Sequence, residues 1–347
     1  MSTAEPSAAR ERAPAAPDSG PWIGAPGELE AHRRFWLGTR APAADAIRIR
    51  VPDACVDELD RVLGRAAGDA RALAALVDEP FAPALATELP ALAELGREVR
   101  EAILRAPGAA LVDRFPAERY DDAGNLALAG LFAPRILPLL HQNAKGETLY
   151  EVTDEKPIGP TRKSKTNEAQ PMHTDGGWYD PPARAIGLYC VRSAATGGHS
   201  LIGSLVAAID RLRRDGEAGH VAALEAPMPW HRQNEHAPGE SATASLPALE
   251  RADGTYVARW YRAYVRQGFE ALGEPMPDGL GRALDALERA LDEMPKIRFL
   301  AEAGHWQALD NYACVHSREA FEDDASAGPR RLVRVWHRAQ GAAPTGV

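Results

Sequence analysis

One short segment in the middle of the chain contains residues whose types and spacing could bind a metal ion. His173 and Asp175 are separated by one residue in PMHTDGGWYD. On an extended backbone, residues i and i+2 project to the same side, so this imidazole and this carboxylate could bind one ion from a single strand end. The same pair of residue types also occurs often by chance, so by itself it only marks a candidate site.

A third ligand would have to come from a distant strand, and His316 in ALDNYACVHSREAF is the candidate. Two histidines and one carboxylate on one face of an octahedron leave three positions open, which is typical of non-haem Fe(II) oxygenases. The alternative interpretation is an ordinary core or surface histidine, because the chain contains 10 histidines. The assignment of His316 as a metal ligand is therefore supported only when other motifs are considered with it.

Near the C-terminus, the segment RRLVRVW predicts a strand with two arginines on one face. Arg330, Arg334 and Trp336 would face one side of this strand. Arg331 and Val333 would face the other side. Burying guanidinium groups is costly unless they meet carboxylates, and arginine binds a carboxylate through two parallel hydrogen bonds. The pattern therefore suits a small dicarboxylate, although two salt-bridged arginines at the rim of a barrel would also explain it.

Short strands are the elements that would position these residues. They are indicated by segments that are rich in branched and aromatic residues and bounded by Gly, Pro or Asn. Amphipathic helices are predicted over most of 54–105 and over 278–293. Strands and helices do not alternate as a doubly wound sheet requires, so the pattern favours a mainly β core with helices around it. The predicted strand segments are TLYEV, AIGLYCV, HSLIGS, KIRFLAE, HWQALDNYACVHS and RRLVRVWHR.

The composition limits the class of protein and its partners. The 347 residues are 45% hydrophobic and 26% charged, which fits a soluble globular protein of one or two domains. A net charge of -9 argues against nucleic acid as a partner. No run approaches the ~20 apolar residues of a membrane helix, so no membrane association is expected. Three widely spaced cysteines and an N-terminus without an apolar leader predict reduced thiols and a cytoplasmic location.

Taken together, the motifs resemble those of a known family. Over about 140–338 the chain resembles the TauD/TfdA (taurine dioxygenase-like) family of Fe(II)/2-oxoglutarate-dependent dioxygenases. The resemblance implies a mainly β fold, a double-stranded β-helix or jelly roll, with a helical N-terminal part and helical insertions. It is carried, in the family's order, by the segments PMHTDGGWYDPPARAIGLYCV, TGGHSLIGS, ALDNYACVHSREAFED and RRLVRVW.

The same motifs predict the domain organisation. Ligands at 173–175 and 316 must meet at one ion, so the residues between them are expected to belong to one barrel. We therefore expect a single jelly-roll oxygenase domain over 21–340, with a helix-rich part at 54–110 and a catalytic core at about 140–338. The segment 1–20 is rich in Ala, Pro, Ser and charge and predicts a disordered tail.

The resemblance also implies a role for each matching residue. One group is expected to bind Fe(II), a second to bind the co-substrate 2-oxoglutarate, and one residue to face the substrate. The expected Fe(II) ligands are His173, Asp175 and His316; the expected 2-oxoglutarate residues are Ser200, Arg330 and Arg334; and the expected substrate residue is Trp178.

The implied reaction oxidises an unactivated C–H bond of a small polar molecule with dioxygen and converts 2-oxoglutarate to succinate and carbon dioxide. Hydroxylation of an amino acid or a natural-product intermediate is the expected outcome, while desaturation, cyclisation and epimerisation stay open, as does the oligomeric state. A jelly-roll metal-dependent hydrolase or isomerase without 2-oxoglutarate is a more remote alternative, and the paired arginines argue against it. The intact ligand set argues against a non-catalytic binding protein.

Overall fold

The computed structural model describes residues 28–38, 42–156, 163–236, 239–252, 255–324 and 328–339. The predicted disordered tail at 1–20 lies outside these residues. Within the described ranges, none of the helices combines the length and the apolar character that a bilayer span needs. The helices are α1 Glu28–Trp36, α2 Asp53–Ala66, α3 Ala70–Asp78, α4 Pro83–Glu88, α5 Pro90–Ile103, α6 Asp122–Ile136, α7 Leu205–Arg214, α8 Ala218–Leu224, α9 Arg262–Leu272 and α10 Asp278–Glu293.

The strands are short, as the sequence predicted, and most of them belong to two sheets. The first half of the chain provides β1 Arg48–Arg50, β2 Ala109–Asp113, β3 Leu139–Leu140, β4 Leu149–Val152, β5 Gln170–His173 and β6 Ala185–Arg192. The second half provides β7 Thr196–Gly197, β8 Ser200–Ser204, β9 Pro227–His231, β10 Thr243–Pro247, β11 Leu249–Ala252, β12 Thr255–Ala258, β13 Ile297–Phe299, β14 Trp306–Asp310, β15 Cys314–Arg318, β16 Phe321–Glu322 and β17 Arg331–His337.

The larger sheet has seven strands in the order β1-β2-β14-β6-β17-β3, with β4 also paired to β17. Its pairs are antiparallel except for the parallel pair β1 and β2. The smaller sheet has the order β13-β8-β15-β5 and is antiparallel throughout. Residues of β17 from the first sheet and of β5, β8 and β15 from the second line one common cavity, so the two sheets face each other there.

Side-chain alternation along β17 separates this cavity from a second core on the other face of the large sheet. Val333 and Val335 pack with the helical N-terminal part, in a cluster that includes buried residues of α2, α5 and α6. Leu332 and Trp336 belong to the other cluster, which faces the small sheet. The alternation predicted for RRLVRVW is therefore observed.

Helix α6 was not predicted from the sequence. The carboxylate of Asp121 caps it by accepting from the backbone N–H of Gly124 at 2.8 Å. Most of its residues are buried on all sides between the other helices and the large sheet, so it lacks the polar face that gives an amphipathic period. Pro134 lies within its last turn and further masks the pattern. By contrast, Pro83 and Pro90 begin α4 and α5, where proline is well tolerated.

Candidate metal centre

The three predicted metal ligands lie together in the fold. His173 is the last residue of β5, and His316 lies directly opposite it on β15 in the antiparallel register. Their ring centroids are 4.1 Å apart. Asp175 follows two residues after His173, and one ligand atom from each of the three side chains lies within 4.8 Å of the others. All three are buried, so they form a compact His-Asp-His group inside the protein.

The backbone fixes the orientation of the His173 ring. Its Nδ1 lies 2.9 Å from the carbonyl oxygen of Pro171, which can only accept, so Nδ1–H donates this hydrogen bond. Nε2 therefore carries the lone pair that a cation could use, and in this structure that lone pair accepts from the side-chain amide of Gln170. Nε2 lies 3.3 Å from Oδ1 of Asp175 and 3.0 Å from the side-chain nitrogen of Gln170. A backbone carbonyl that holds the remote nitrogen of a ligand histidine is common in metalloproteins.

The charge states of the group also suit a divalent cation. Burial would raise the pKa of Asp175, but nearby Arg334, together with His173 and His316, lowers this pKa well below its usual range. Burial lowers the pKa of His316 to about 3, so its imidazole is neutral at pH 7. Metal binding requires neutral histidines and ionised carboxylates, and these two side chains meet that requirement.

The main chain of Asp175 is held by the side chain of Asn311, which is fully buried just after β14. Asn311 Oδ1 accepts from the N–H of Asp175 at 2.9 Å. Its Nδ2 donates to the carbonyl of Asp175 at 3.0 Å and to that of Ala183 at 2.9 Å. These hydrogen bonds fix the loop that carries the carboxylate to the end of the large sheet.

A cavity beside the metal ligands contains the predicted anion-binding residues Ser200, Arg330 and Arg334. Arg330 is 4% exposed, and among the described residues no carboxylate lies within salt-bridge distance of its guanidinium, although Asp323 is near enough to act on it electrostatically. The group lies 5.1 Å from the ring centroid of Phe321, and burial lowers its pKa. A buried guanidinium that makes no direct salt bridge is costly, so this cavity is suited to an anionic ligand.

Arg318 also lines this cavity, a position that the sequence interpretation did not assign. It lies on β15 two residues after His316, so the i, i+2 rule could have found it. Its guanidinium donates to the carbonyls of Thr166 and Glu168 and thereby holds the segment that leads into β5. Burial and the neighbouring Arg330 lower the pKa of Arg318 to about 10.

Arg334 lies closer to the metal ligands than Arg330 does. Its Nη1 is 3.3 Å from Oδ2 of Asp175, and its Nε donates to Oε1 of Gln142 at 2.8 Å. Gln142 in turn donates from its Nε2 to the carbonyls of Arg334 and Thr148, each at 2.8 Å. Gln142 was also missed in the sequence, because a contact between residues so far apart leaves no local pattern.

Aromatic side chains line a second cavity, which shares His173, Asp175 and Arg334 with the first. Trp178, predicted to face the substrate, lies there together with Tyr261, Tyr264 and Trp336. The ring centroids of Tyr261 and Tyr264 are 4.1 Å apart, and those of Trp178 and Tyr264 are 5.5 Å apart. The ring of Tyr261 also lies 5.0 Å from that of His173. Tyr261 was not among the site residues predicted from the sequence, so its place in this cavity is a finding of the structure.

The fold and the site define a class of protein. Two facing sheets that hold a His-x-Asp pair and a distant histidine beside buried arginines form the arrangement typical of non-haem iron oxygenases. The family described as "Taurine catabolism dioxygenase TauD, TfdA family" matches residues 77–336, and the chain belongs to this family. The family predicted from the motifs is thereby confirmed, and the match begins well before the first of those motifs.

Individual relatives agree with this assignment. A uridine-5'-phosphate dioxygenase from Amycolatopsis sp is 32% identical over 174 residues, which are 49% of this chain and 61% of that protein. The chain thus spans about three fifths of the length of this curated relative.

Solved structures resemble the fold. The asparagine oxygenase AsnO has a TM-score of 0.64 at 17% identity and is matched over 84% of this chain and 93% of its own. The non-heme iron oxygenase OrfP in complex with Fe and alpha-ketoglutaric acid has a TM-score of 0.61 at 16% identity, over 84% and 94%. The predicted jelly-roll fold with helical parts is confirmed.

Proposed function

We propose that this member of the dioxygenase family uses Fe(II) and 2-oxoglutarate to oxidise a C–H bond of a small polar molecule, most simply by hydroxylation. The observation that carries the proposal is the juxtaposition of two features. The His-Asp-His group lies in the same cavity wall as Arg330, whose buried guanidinium makes no direct salt bridge among the described residues. A metal-dependent hydrolase would have no use for this second feature, whereas a dicarboxylate co-substrate would neutralise it.

The residues fit the proposed metal. His173 would bind it through Nε2 and Asp175 through Oδ1, with His316 as the third ligand, and this donor set suits ferrous iron with open positions. When bound, Fe(II) with 2-oxoglutarate supplies the redox chemistry that activates dioxygen and yields succinate and carbon dioxide. The protein's own part is to present a neutral imidazole and an ionised carboxylate in a fixed geometry.

The arginines would place the co-substrate. Arg330, which lines the cavity together with Ser200, is proposed to bind the distal carboxylate of 2-oxoglutarate. Arg334, held by Gln142 and close to Asp175, is proposed to lie near the carboxylate next to the metal. This assignment places one cation at each end of a dicarboxylate and orients its keto group toward the ligands.

The aromatic cavity is proposed to bind the substrate and to exclude water. The rings of Trp178, Tyr261 and Tyr264 form aromatic walls beside His173, and excluding water from such a cavity would protect reactive species from side reactions. Amino acids are the first substrate class to test, because the solved structures that share the fold include an asparagine oxygenase and OrfP with 3-hydroxy-L-arginine.

A nucleotide is the second candidate substrate. Tyr261, Tyr264 and Trp178 provide aromatic rings of the kind on which nucleobases stack, and the Amycolatopsis relative is a uridine-5'-phosphate dioxygenase. A panel of L-amino acids and nucleoside 5'-monophosphates would separate the two candidates by substrate-dependent succinate release.

The test of the proposed function is direct. Wild-type protein should bind Fe(II) and then 2-oxoglutarate without oxygen, and should release succinate when oxygen and the right substrate are added. His173→Ala should lose both activities, while Arg331→Gln on the opposite face of β17 should keep them. Mass spectrometry of the product would show a gain of one oxygen atom for hydroxylation or a loss of two hydrogens for desaturation or ring closure. Wild-type protein that binds neither Fe(II) nor 2-oxoglutarate would overturn the proposal.

We also infer that 21–340 form a single domain, with the helix-rich part and the catalytic core folding together. In support, β2 from the end of the helix-rich part pairs with β14, whose own neighbour is β6 of the catalytic core. One cooperative unfolding transition, seen equally by far-UV circular dichroism and tryptophan fluorescence, is the expected result. Two separated transitions would contradict the single domain. The cytoplasmic location stays a prediction.

A further inference from the structure

The two oxygens of the Asp175 carboxylate have different surroundings. Oδ1 lies 3.3 Å from Nε2 of His173 and faces the other predicted ligands. Oδ2 accepts a hydrogen bond from the indole Nε1–H of Trp336 at 2.7 Å. Oδ2 also lies 3.3 Å from Nη1 of Arg334. One oxygen is therefore available to a metal, while the other is already bound by the protein.

The indole of Trp336 is fixed independently of Asp175. Trp336 is 2% exposed on β17, and its ring meets Tyr179 edge to face at a centroid distance of 5.7 Å. A Cβ atom added to Gly176 would lie 3.3 Å from two of its ring carbons, so the backbone beside Asp175 packs closely on the indole. The guanidinium of Arg334 lies 4.8 Å from the ring centroid on this side of the strand. The donor is thus preorganised for Oδ2.

We propose that Trp336 is a positioning residue that keeps Asp175 bound to the metal through Oδ1 alone. This inference rests on the proposed function. A carboxylate can bind a metal through one oxygen or through both, and a second metal–oxygen bond would use a position that the co-substrate or dioxygen needs. The indole N–H holds Oδ2 by a directional hydrogen bond, whereas Arg334 contributes charge at a longer distance and has its Nε committed to Gln142.

The experiment uses Trp336→Phe, which keeps an aromatic ring on β17 but removes the N–H donor. Trp306→Phe is the matched control, because Trp306 is also fully buried in the large sheet and its Nε1 has no hydrogen-bond partner among the described residues. Fe(II) affinity would be measured without oxygen by calorimetry. The coordination of the metal would be followed by the visible absorption of the Co(II)-substituted protein, which changes with coordination number.

Trp336→Phe should weaken Fe(II) binding about 10- to 100-fold, the usual effect of losing a residue that holds a metal ligand. Its Co(II) spectrum should differ from that of the wild type, and Trp306→Phe should match the wild type in both measurements. Wild-type affinity and an unchanged Co(II) spectrum in Trp336→Phe would overturn the inference. Wild-type protein that does not bind Fe(II) at all would instead overturn the proposed function.

A measurement on the wild type keeps the inference testable if Trp336→Phe does not fold. In protein labelled with 15N-tryptophan, the indole signal nearest the metal can be identified by its broadening with Mn(II). This indole proton should exchange slowly with solvent both in metal-free protein and in protein loaded with Zn(II). Fast exchange in the loaded protein would show that Oδ2 has left the indole, and would overturn the inference.

Discussion

Arg330 and Arg331 are adjacent in the sequence, yet their guanidinium groups lie in opposite environments. Arg331 is partly exposed and pairs with Asp122 and Glu151. Arg330 is buried in the cavity beside the predicted metal ligands and makes no direct salt bridge among the described residues. The two residues therefore provide a matched pair in which the same substitution tests anion binding on one side of the strand only.

Replacing Arg330 with Met should weaken 2-oxoglutarate binding by about 2 to 5 kcal/mol, because a buried charge pair loses one partner. The metal-free protein should not lose stability, since the substitution removes a buried charge that makes no direct salt bridge. Anaerobic titration of the Fe(II)-loaded protein with 2-oxoglutarate would measure the first effect, and urea unfolding the second. Arg331→Met should bind 2-oxoglutarate as the wild type does. Equal affinities for the two variants would contradict the role of Arg330.

From the hydrogen bonds of Asn311 we expect one substitution to lower both the free energy of unfolding and the affinity for Fe(II). Asn311→Ala would remove three buried hydrogen bonds to Asp175 and Ala183 and leave their backbone groups unsatisfied. The expected loss is roughly 2 to 5 kcal/mol in the free energy of unfolding, together with weaker Fe(II) binding. Urea unfolding and anaerobic calorimetry would measure the two effects. Asn167→Ala, at an exposed position, is the control, and an Asn311→Ala variant as stable as this control would refute the prediction.

Two buried histidines predict how stability depends on pH. Burial lowers the pKa of His32 and of His337 to about 4, below the usual value near 6.5. Between about pH 6.5 and pH 4 the unfolded chain binds protons that the folded chain does not, so stability falls as the pH falls. Each histidine contributes a slope of up to about 1.4 kcal/mol per pH unit.

Urea unfolding across this pH window would measure the slope. The Nδ1–H of His337 donates to the carbonyl of Leu137 at 2.9 Å, and His337→Asn keeps a donor for this carbonyl. The substitution should remove the contribution of His337 to the pH dependence of the free energy of unfolding. The same substitution at the exposed His141 should leave the slope unchanged. An unaltered slope in His337→Asn would exclude the proposed linkage.

At Gly187 on β6, the large sheet leaves no room for a side chain. A Cβ at this position would lie 2.6 Å from Cγ2 of Val335 and 2.9 Å from Cζ2 of Trp306. Gly187→Ala should therefore cost about 1 to 3 kcal/mol of stability through overpacking. Gly279→Ala near the start of α10 meets no atom within 4 Å and should be neutral or slightly stabilising. Thermal unfolding of both variants would show the contrast, and equal melting temperatures would contradict it.

The residues of the candidate site that could be predicted are those that lie close together in the sequence and follow a strand period. His173 and Asp175 share a strand end, and Arg330, Arg334 and Trp336 follow the alternation of one strand, so a period of two suffices to place each set. The order of the motifs then supplied the family, which its match over 77–336 confirms.

The remainder depends on contacts between distant segments. Gln142 meets Arg334, and Asn311 meets Asp175, through single side-chain hydrogen bonds that leave no periodic signal. Helix α6 was missed because burial on all sides removes the polar face that marks a helix. Tyr261 was missed because an aromatic residue at a helix start looks the same in sequence whether it fills a core or lines a cavity.

The side-chain alternation of strand β17 restricts insertions and deletions in this part of the chain. Its side chains Leu332, Arg334 and Trp336 face the two cavities, as does Arg330 just before the strand, and Val333 and Val335 fill the core behind it. Inserting one residue into this strand would turn the side chains beyond it to the opposite face, so that a cavity residue such as Arg334 would enter the apolar core and a valine would line the cavity. Functional relatives can therefore lengthen or shorten the spacing of these cavity residues only by even numbers, unless a bulge restores the phase.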